Sequence, residues 1–125
     1  MAAEILVVDD NESVRQLLQH QLTAAGFEVT AVESGQAAVR VLGDDADPDL
    51  LVTDIMMPRL DGTQLLRKIR RGELPVPADL PVVVLSSRGR EADVRGGFES
   101  GADDYITKPF RGGDLVARVR RHVGG

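Results

Sequence analysis

Residues 50–58 (LLVTDIMMP) give the clearest indication of the fold of this chain. A short run of apolar and β-favouring residues ends in a carboxylate, Asp54, and a proline-containing turn follows. Such a run, bounded by turn signals, predicts a buried strand. Asp54 then lies at the C-terminal end of a central strand, where open α/β sheets place their binding sites. The alternative is that Asp54 only caps the turn before Pro58.

Four further runs of apolar or β-branched residues predict strands at 5–8, 27–32, 82–85 and 105–107. Apolar residues at helical spacing lie between and after these runs. The predicted helices are marked by Val14, Leu17, Leu18, Leu22 and Ala25, by Ala37, Ala38, Val41 and Leu42, by Leu65, Leu66 and Ile69, by Val94 and Phe98, and by Leu115, Val116, Val119 and Val123. Strands therefore alternate with helices five times, which implies an α/β fold with a doubly wound, five-stranded parallel sheet covered on both faces.

Two sets of basic residues are predicted to be solvated. Arg67, Lys68, Arg70 and Arg71 surround the exposed side of the third helix, and a second run, 118–121, lies at the end of the last helix. The second run is interpreted as a helix end favoured by the dipole rather than as a nucleic-acid patch.

Composition excludes several classes of function. The chain has 125 residues, a formal net charge of −5, no cysteine and two histidines. Disulfides, thiolate catalysis and a cysteine-ligated or histidine-rich zinc site are therefore excluded. The acidic balance disfavours direct nucleic-acid binding, and no run approaches the roughly 20 apolar residues of a membrane span. The expectation is a cytoplasmic protein with one domain and no membrane contact.

Polar side chains follow the predicted strands at the edge where parallel strands end together. They are Asp9, Asp10, Asp54, Ser86 and Lys108. Crowded carboxylates repel one another unless a cation lies among them, and Mg²⁺ takes one or two carboxylates together with phosphate oxygens. The lysine and the hydroxyl complete a phosphate-binding set. The predicted reaction is phosphoryl transfer onto Asp54, with Asp9 and Asp10 holding the metal.

The chain resembles the receiver domain of bacterial two-component response regulators over essentially its whole length. The motifs that carry the resemblance are Val7-Val8-Asp9-Asp10, Asp54-Ile55-Met56-Met57-Pro58 with Asp61-Gly62, Leu85-Ser86-Ser87, and Gly101-Ala102-Asp103-Asp104-Tyr105 leading to Lys108-Pro109-Phe110. The resemblance implies a flavodoxin-like (βα)5 fold with strand order 2-1-3-4-5. Residues 1–125 are expected to be a single receiver domain without an output domain.

The resemblance also implies the site and its chemistry. Asp54 would accept a phosphoryl group from a sensor histidine kinase or a phosphotransfer protein. Mg²⁺ would be held by Asp9, Asp10, Asp54 and the backbone carbonyl of Met56. Catalytic roles fall to Asp54, Ser86 and Lys108, with Lys108 contacting the phosphoryl group.

Further implications concern the switch. Ser86 would turn toward the phosphoryl oxygen, Tyr105 would change rotamer with it, and the Lys108-Pro109 peptide would be cis. A module of this kind catalyses its own phosphorylation and dephosphorylation and has no separate turnover substrate, so it is not classed as an enzyme. A weak helix over residues 91–100, with adjacent Gly96 and Gly97 inside it, is expected to be the moving part.

Partners downstream are expected to bind through the last helices and strand, either as an output domain or as a separate protein. A homodimer through the same face is suggested by Asp104, Asp114 and Arg118. Val94 and Gly125 stand where basic residues would be expected in that dimer, so the sequence does not decide between these arrangements.

Two alternatives remain open from the residues alone. A metal-dependent phosphatase of related α/β fold would need a second aspartate two residues after the nucleophile, where Met56 stands. A scaffold with an acceptor that is never phosphorylated would not need the complete set of carboxylates, hydroxyl and lysine.

Overall fold

The computed structural model describes residues 2–44, 46–55, 57, 59–87, 101–108 and 110–123. The elements in chain order are β1 (Glu4–Val8), α1 (Glu12–Ala24), β2 (Glu28–Val32), α2 (Gly35–Gly43), β3 (Leu50–Asp54), α3 (Gly62–Arg70), β4 (Val82–Ser87), β5 (Asp104–Lys108) and α4 (Gly112–His122). The helix predicted over 91–100 lies outside these residues. Within the described part of the chain, no helix has both the length and the apolar character needed to cross a membrane.

The five strands form one parallel sheet in the order β2-β1-β3-β4-β5. The predicted doubly wound sheet and its strand order are confirmed. Every residue of β3 is buried, as expected for the central strand of a sheet covered on both faces. Asp54 is the last residue of that strand.

Two apolar layers enclose the sheet. The first packs buried residues of α2 and α3, such as Leu42 and Leu66, against alternate strand residues. The second packs α1 and α4, for example Leu18 and Val119, against the other face of the sheet. Side chains alternate between faces along a strand, so each strand contributes to both layers.

Side-chain caps fix the starts of three helices at the carboxyl edge of the sheet. Asn11 accepts a hydrogen bond from the backbone of Val14, and Ser34 caps α2 in the same way. Asp61 and Gln64 form a reciprocal capping box at the start of α3. Each cap satisfies backbone N–H groups that the first turn of a helix leaves unpaired.

One predicted core position of α1 is exposed. Leu17 retains 43 % of its accessible surface, whereas Leu18 and Leu22 are fully buried. The buried stripe of α1 is narrow because the helix packs on the sheet at one edge, and Leu17 precedes Leu18 by one residue, about 100° around the helix. The prediction that Leu17 belongs to the core was wrong.

Arg70, predicted to be solvated, instead joins three segments. Its guanidinium donates to the carbonyl oxygens of Ala78 (2.9 Å), Leu80 (2.6 Å) and Gly101 (3.0 Å), and to the Asp103 carboxylate (3.0 Å). A helical pattern shows which face of α3 is apolar, but it does not show that the following loop folds back over the helix end. The planar guanidinium of arginine carries several N–H donors in a fixed geometry, which suits it to hydrogen-bond with several acceptors at once.

Replacing Arg70 with alanine is expected to lower the free energy of unfolding by about 2 kcal/mol, because three carbonyls and a carboxylate lose a charged donor. Urea unfolding measures the effect. The exposed Arg71 is the matched control, and its replacement with alanine should change stability by at most about 0.5 kcal/mol. Equal effects at the two positions would contradict the role of Arg70.

A cluster of charges joins β5 to α4. The buried carboxylate of Asp104 lies 2.7 Å from the guanidinium of Arg118, 3.2 Å from His122 and 3.7 Å from Arg121. Arg118 also pairs with Asp114 at 3.0 Å. The basic end of the last helix, predicted to be solvated, is therefore partly neutralised within the chain.

The pKa of Asp104 is lowered by this cluster. Burial alone raises it, but hydrogen bonds from the Tyr105 backbone and His122, together with the Arg118 charge, outweigh burial. A lowered folded-state pKa stabilises the protein above the unfolded value of 3.8, and this stabilisation is lost as pH falls through the folded value.

Asp104→Asn is accordingly expected to cost about 1 kcal/mol near neutral pH, because Arg118 loses its buried partner. The difference from the unmodified chain should shrink as pH falls below 3.8. Unfolding curves at a series of pH values measure it. Asp114→Asn, at a half-exposed position, should cost little at any pH. A penalty for Asp104→Asn that stays constant down to about pH 2.5 would contradict the linkage.

Candidate functional site

The strand alternation brings three of the predicted site residues to one face of the sheet. Asp9, Asp54 and Lys108 each lie two residues after a member of the layer shared with α1 and α4. Because side chains alternate with period two, these three continue the same face at the carboxyl edge. Ser86 instead lies two residues after Val84, which belongs to the layer shared with α2 and α3.

Three carboxylates meet at this edge. One oxygen each from Asp9, Asp10 and Asp54 lies within 4.8 Å of the other two. Asp9 and Asp54 are buried, whereas Asp10 is exposed to solvent. The sequence predicted this convergence because the carboxyl ends of parallel strands lie at the same edge of the sheet. We call these three residues the acidic cluster.

Lys108 lies between two members of the acidic cluster. Its ammonium donates to Asp9 Oδ2 at 3.0 Å and to Asp54 Oδ2 at 3.1 Å. Burial on its own lowers the pKa of Lys108, but the hydrogen bonds and charges of the two carboxylates raise it above its ordinary value. The lysine therefore stays cationic throughout the neutral range.

Backbone contacts fix the orientation of Asp9. Its Oδ1 accepts a hydrogen bond from the Asn11 N–H at 2.9 Å, and its carbonyl accepts one from the Arg15 guanidinium at 2.8 Å. Arg15 was not among the predicted site residues. The available signal was weak, since a cation near the start of α1 is only slightly disfavoured by the helix dipole.

Asp54 is held by the strand that ends with it and by the residues that follow. The Thr53 hydroxyl donates to the Asp54 carbonyl at 3.1 Å, and the Ile55 N–H continues the ladder to Leu85 at 3.0 Å. The start of α3 closes on the same point, since Gly62 donates its N–H to the Ile55 carbonyl at 3.2 Å.

The two predicted switch residues lie on neighbouring strands. Ser86 is fully buried on β4 and pairs in register with Thr107 of β5. Tyr105 is partly buried on β5 and packs against the layer shared with α2 and α3. The Arg118 guanidinium lies 5.9 Å from the centre of the Tyr105 ring, a cation–π distance.

Two predicted features fall outside the described residues. Met56, expected to offer a backbone carbonyl to the metal, is one of them. Pro109, expected to follow a cis peptide, is the other. The first residue described after the Asp54 strand and Ile55 is Met57, which is buried.

The donor set fits a hard divalent cation. Its ligands are carboxylate oxygens only, and Mg²⁺ and Ca²⁺ prefer such hard oxygen ligands over nitrogen and sulfur ligands. Because Asp10 is exposed, one side of the acidic cluster is open to solvent. Mg²⁺ usually keeps several bound waters and also takes phosphate oxygens, so this open side suits it. Three carboxylates against one lysine also leave an excess of negative charge that a divalent cation would offset.

Comparison with known proteins places this arrangement among relatives. A family model described as the response regulator receiver domain matches residues 5–120. The phosphate regulon transcriptional regulatory protein PhoB of Pseudomonas aeruginosa is 42 % identical over 116 residues, covering 93 % of this chain and 49 % of PhoB. The response regulator MprA of Mycobacterium tuberculosis is 41 % identical over 121 residues, covering 96 % of this chain and 50 % of MprA.

Solved structures agree in fold. A crystal structure assigned as a response regulator from Chloroflexus aurantiacus aligns over 100 % of both chains with a TM-score of 0.92 and 34 % identity. The receiver domain of NtrX from Brucella abortus aligns over 95 % of this chain and 97 % of its own, with a TM-score of 0.86 and 33 % identity. The chain spans about half the length of the curated relatives it matches.

Proposed function

The chain belongs to the receiver domain family of response regulators, and on that premise we propose that Asp54 is the residue that accepts its phosphoryl group. One observation carries this assignment: the Lys108 ammonium bridges Asp54 and Asp9 inside the acidic cluster. The oxygens of Asp54 therefore lie beside both a fixed cation and a candidate site for a divalent ion.

In the proposed reaction an Asp54 carboxylate oxygen attacks the phosphorus of the donor. A new O–P bond forms as the donor's P–N or P–O bond breaks, and the donor leaves with that electron pair. Lys108 already lies 3.1 Å from Asp54 Oδ2, so its charge is in place to offset the incoming phosphoryl oxygens. Asp10 and Asp9 would hold Mg²⁺ together with Asp54, and the ion supplies positive charge at the phosphate.

The donor proposed for this chain is a phosphohistidine on a sensor histidine kinase or a phosphotransfer protein. Ser86 lies on the strand beside β3 but continues the opposite face of the sheet, so we infer that it turns toward the phosphoryl oxygen to supply its hydroxyl. Tyr105 lies two strands from Asp54 and contacts Arg118 of α4. We infer that a change at Asp54 reaches an output domain or a partner protein through β5 and α4.

Intact mass spectrometry after incubation with acetyl phosphate tests this function. With Mg²⁺ the chain should gain the mass of one phosphoryl group, and with a chelator in place of the metal it should gain none. A chain without an adduct in Mg²⁺ would contradict the proposal. Repeated turnover of p-nitrophenyl phosphate would instead favour a phosphatase.

A further inference from the structure

Two glycines at helix starts lie against the connection between β3 and α3. A Cβ atom built on Gly35, at the start of α2, would lie 3.1 Å from both the carbonyl carbon and the Cβ of Leu60, and closer still to the Leu60 oxygen. A Cβ on Gly62 would lie 2.9 Å from the Ile55 Cα and 3.0 Å from the Asp54 carbonyl carbon. Both approaches are tighter than side-chain-bearing residues tolerate, and in both the nearest atom is a backbone carbonyl oxygen.

The backbone between these two contacts has little freedom. Leu60 and Gly62 are separated only by Asp61, whose reciprocal bonds with Gln64, each 2.9 Å, fix the start of α3. The Gly62 N–H is bonded to the Ile55 carbonyl at 3.2 Å. A displacement of Leu60 is therefore transmitted through Asp61 to the residues beside Asp54.

We propose that Gly35, which lies on α2 and outside the acidic cluster, is a positioning residue for the phosphorylation of Asp54. Its missing side chain lets α2 press against Leu60, and this contact sets where the start of α3 meets the Asp54 carbonyl. The inference rests on the proposed function, because Asp54 must be the acceptor for its position to control the rate.

The expected effect follows from the size of a methyl group. In Gly35→Ala the Leu60 carbonyl must move by about 1 Å to restore an ordinary contact distance to the added methyl group. A misplacement of about 1 Å at reacting groups can slow a reaction by about 100-fold. We expect the rate of phosphorylation by acetyl phosphate to fall by about 10- to 100-fold at saturating Mg²⁺.

Gly43→Ala is the matched control. Gly43 ends the same helix, and a Cβ there would meet no atom within 4 Å. Its rate should stay within about twofold of the unmodified chain. Val29→Ala, which trims a partly buried residue of the layer shared with α1 and α4, controls for loss of stability alone.

A second measurement separates positioning from stability. In ¹H–¹⁵N spectra of the metal-free protein, Gly35→Ala should shift the amide resonances of Asp54, Ile55 and Gly62, whereas Gly43→Ala and Val29→Ala should leave them in place. Leu60→Gly adds backbone freedom at the contact without inserting an atom. It should also slow phosphorylation, but by a smaller factor than Gly35→Ala does. Leu60→Gly decides the matter if Gly35→Ala does not fold.

The outcomes are distinguishable. A slow Gly35→Ala with shifted Asp54 and Ile55 resonances supports the inference. Unchanged rates in both Gly35→Ala and Leu60→Gly, in a chain that is itself phosphorylated, would overturn it and leave the proposed function standing. An unmodified chain that takes up no phosphoryl group would overturn the proposed function first.

Discussion

Asp54→Asn should abolish the phosphoryl adduct formed with acetyl phosphate and Mg²⁺. Asparagine keeps the size of the side chain but has no carboxylate oxygen to attack phosphorus. It also removes one of three carboxylates from the acidic cluster. The metal-free protein should therefore be as stable as the unmodified chain or up to about 1 kcal/mol more stable, because the relief of repulsion between like charges offsets the lost ion pair with Lys108.

Intact mass and urea unfolding measure the two effects of Asp54→Asn. The exposed Asp79 supplies the control, since Asp79→Asn removes the same charge far from the cluster and should leave the adduct at one phosphoryl group. An adduct that survives in Asp54→Asn would contradict the assignment of Asp54 as the acceptor. A large loss of stability would contradict the view that the cluster repels itself.

Lys108→Ala should have the second largest effect. The substitution removes the ammonium that lies 3.0 Å from Asp9 and 3.1 Å from Asp54. Loss of one charged group that stabilises the transition state typically slows a reaction by about 100- to 1,000-fold. The rate of adduct formation should fall by about that factor even at saturating Mg²⁺.

Stability gives an independent measure of the same substitution. Asp9 is fully buried, so losing its cation should lower the metal-free free energy of unfolding by about 2 kcal/mol. Added Mg²⁺ should restore part of this loss if it binds the same carboxylates. Lys68→Ala is the control, because Lys68 forms an exposed 3.5 Å pair with Glu73 and is the other lysine of the sequence. A Lys108→Ala chain phosphorylated at the normal rate would contradict the role assigned to Lys108.

The sheet and the acidic cluster follow from features that are local in sequence. Each apolar run, such as the one that ends at Asp54, marks a strand, and alternation with helices makes the strands parallel. Parallel strands end at one edge, so the convergence of Asp9, Asp10 and Asp54 needs no further information. The roles of Ser86 and Tyr105 as a switch stay predictions.

The contacts that sequence patterns missed join segments that are distant along the chain. Arg70 belongs to α3 but bonds to the Gly101 carbonyl 31 residues later, and nothing in the period of α3 indicates that partner. Gly35 follows the Ser34 cap as the first residue of α2, where no local signal requires glycine, and its contact with Leu60 depends on how α2 and α3 pack. Leu17 shows the reverse case, since helical spacing alone assigned it to a stripe that the sheet does not reach.

The shared face of Asp9, Asp54 and Lys108 has a consequence for how the strand lengths can vary. Asp9, Asp54 and Lys108 each lie two residues along the chain after a buried apolar residue of the layer shared with α1 and α4. Each stays on that face of the sheet only if this separation of two residues is kept. Deleting or inserting one residue inside β1, β3 or β5 would turn the terminal side chain to the opposite face of the sheet. Insertions and deletions should therefore be better tolerated in exposed connections between elements, whereas in these three strands a single-residue change in length would disconnect the lysine from the carboxylates.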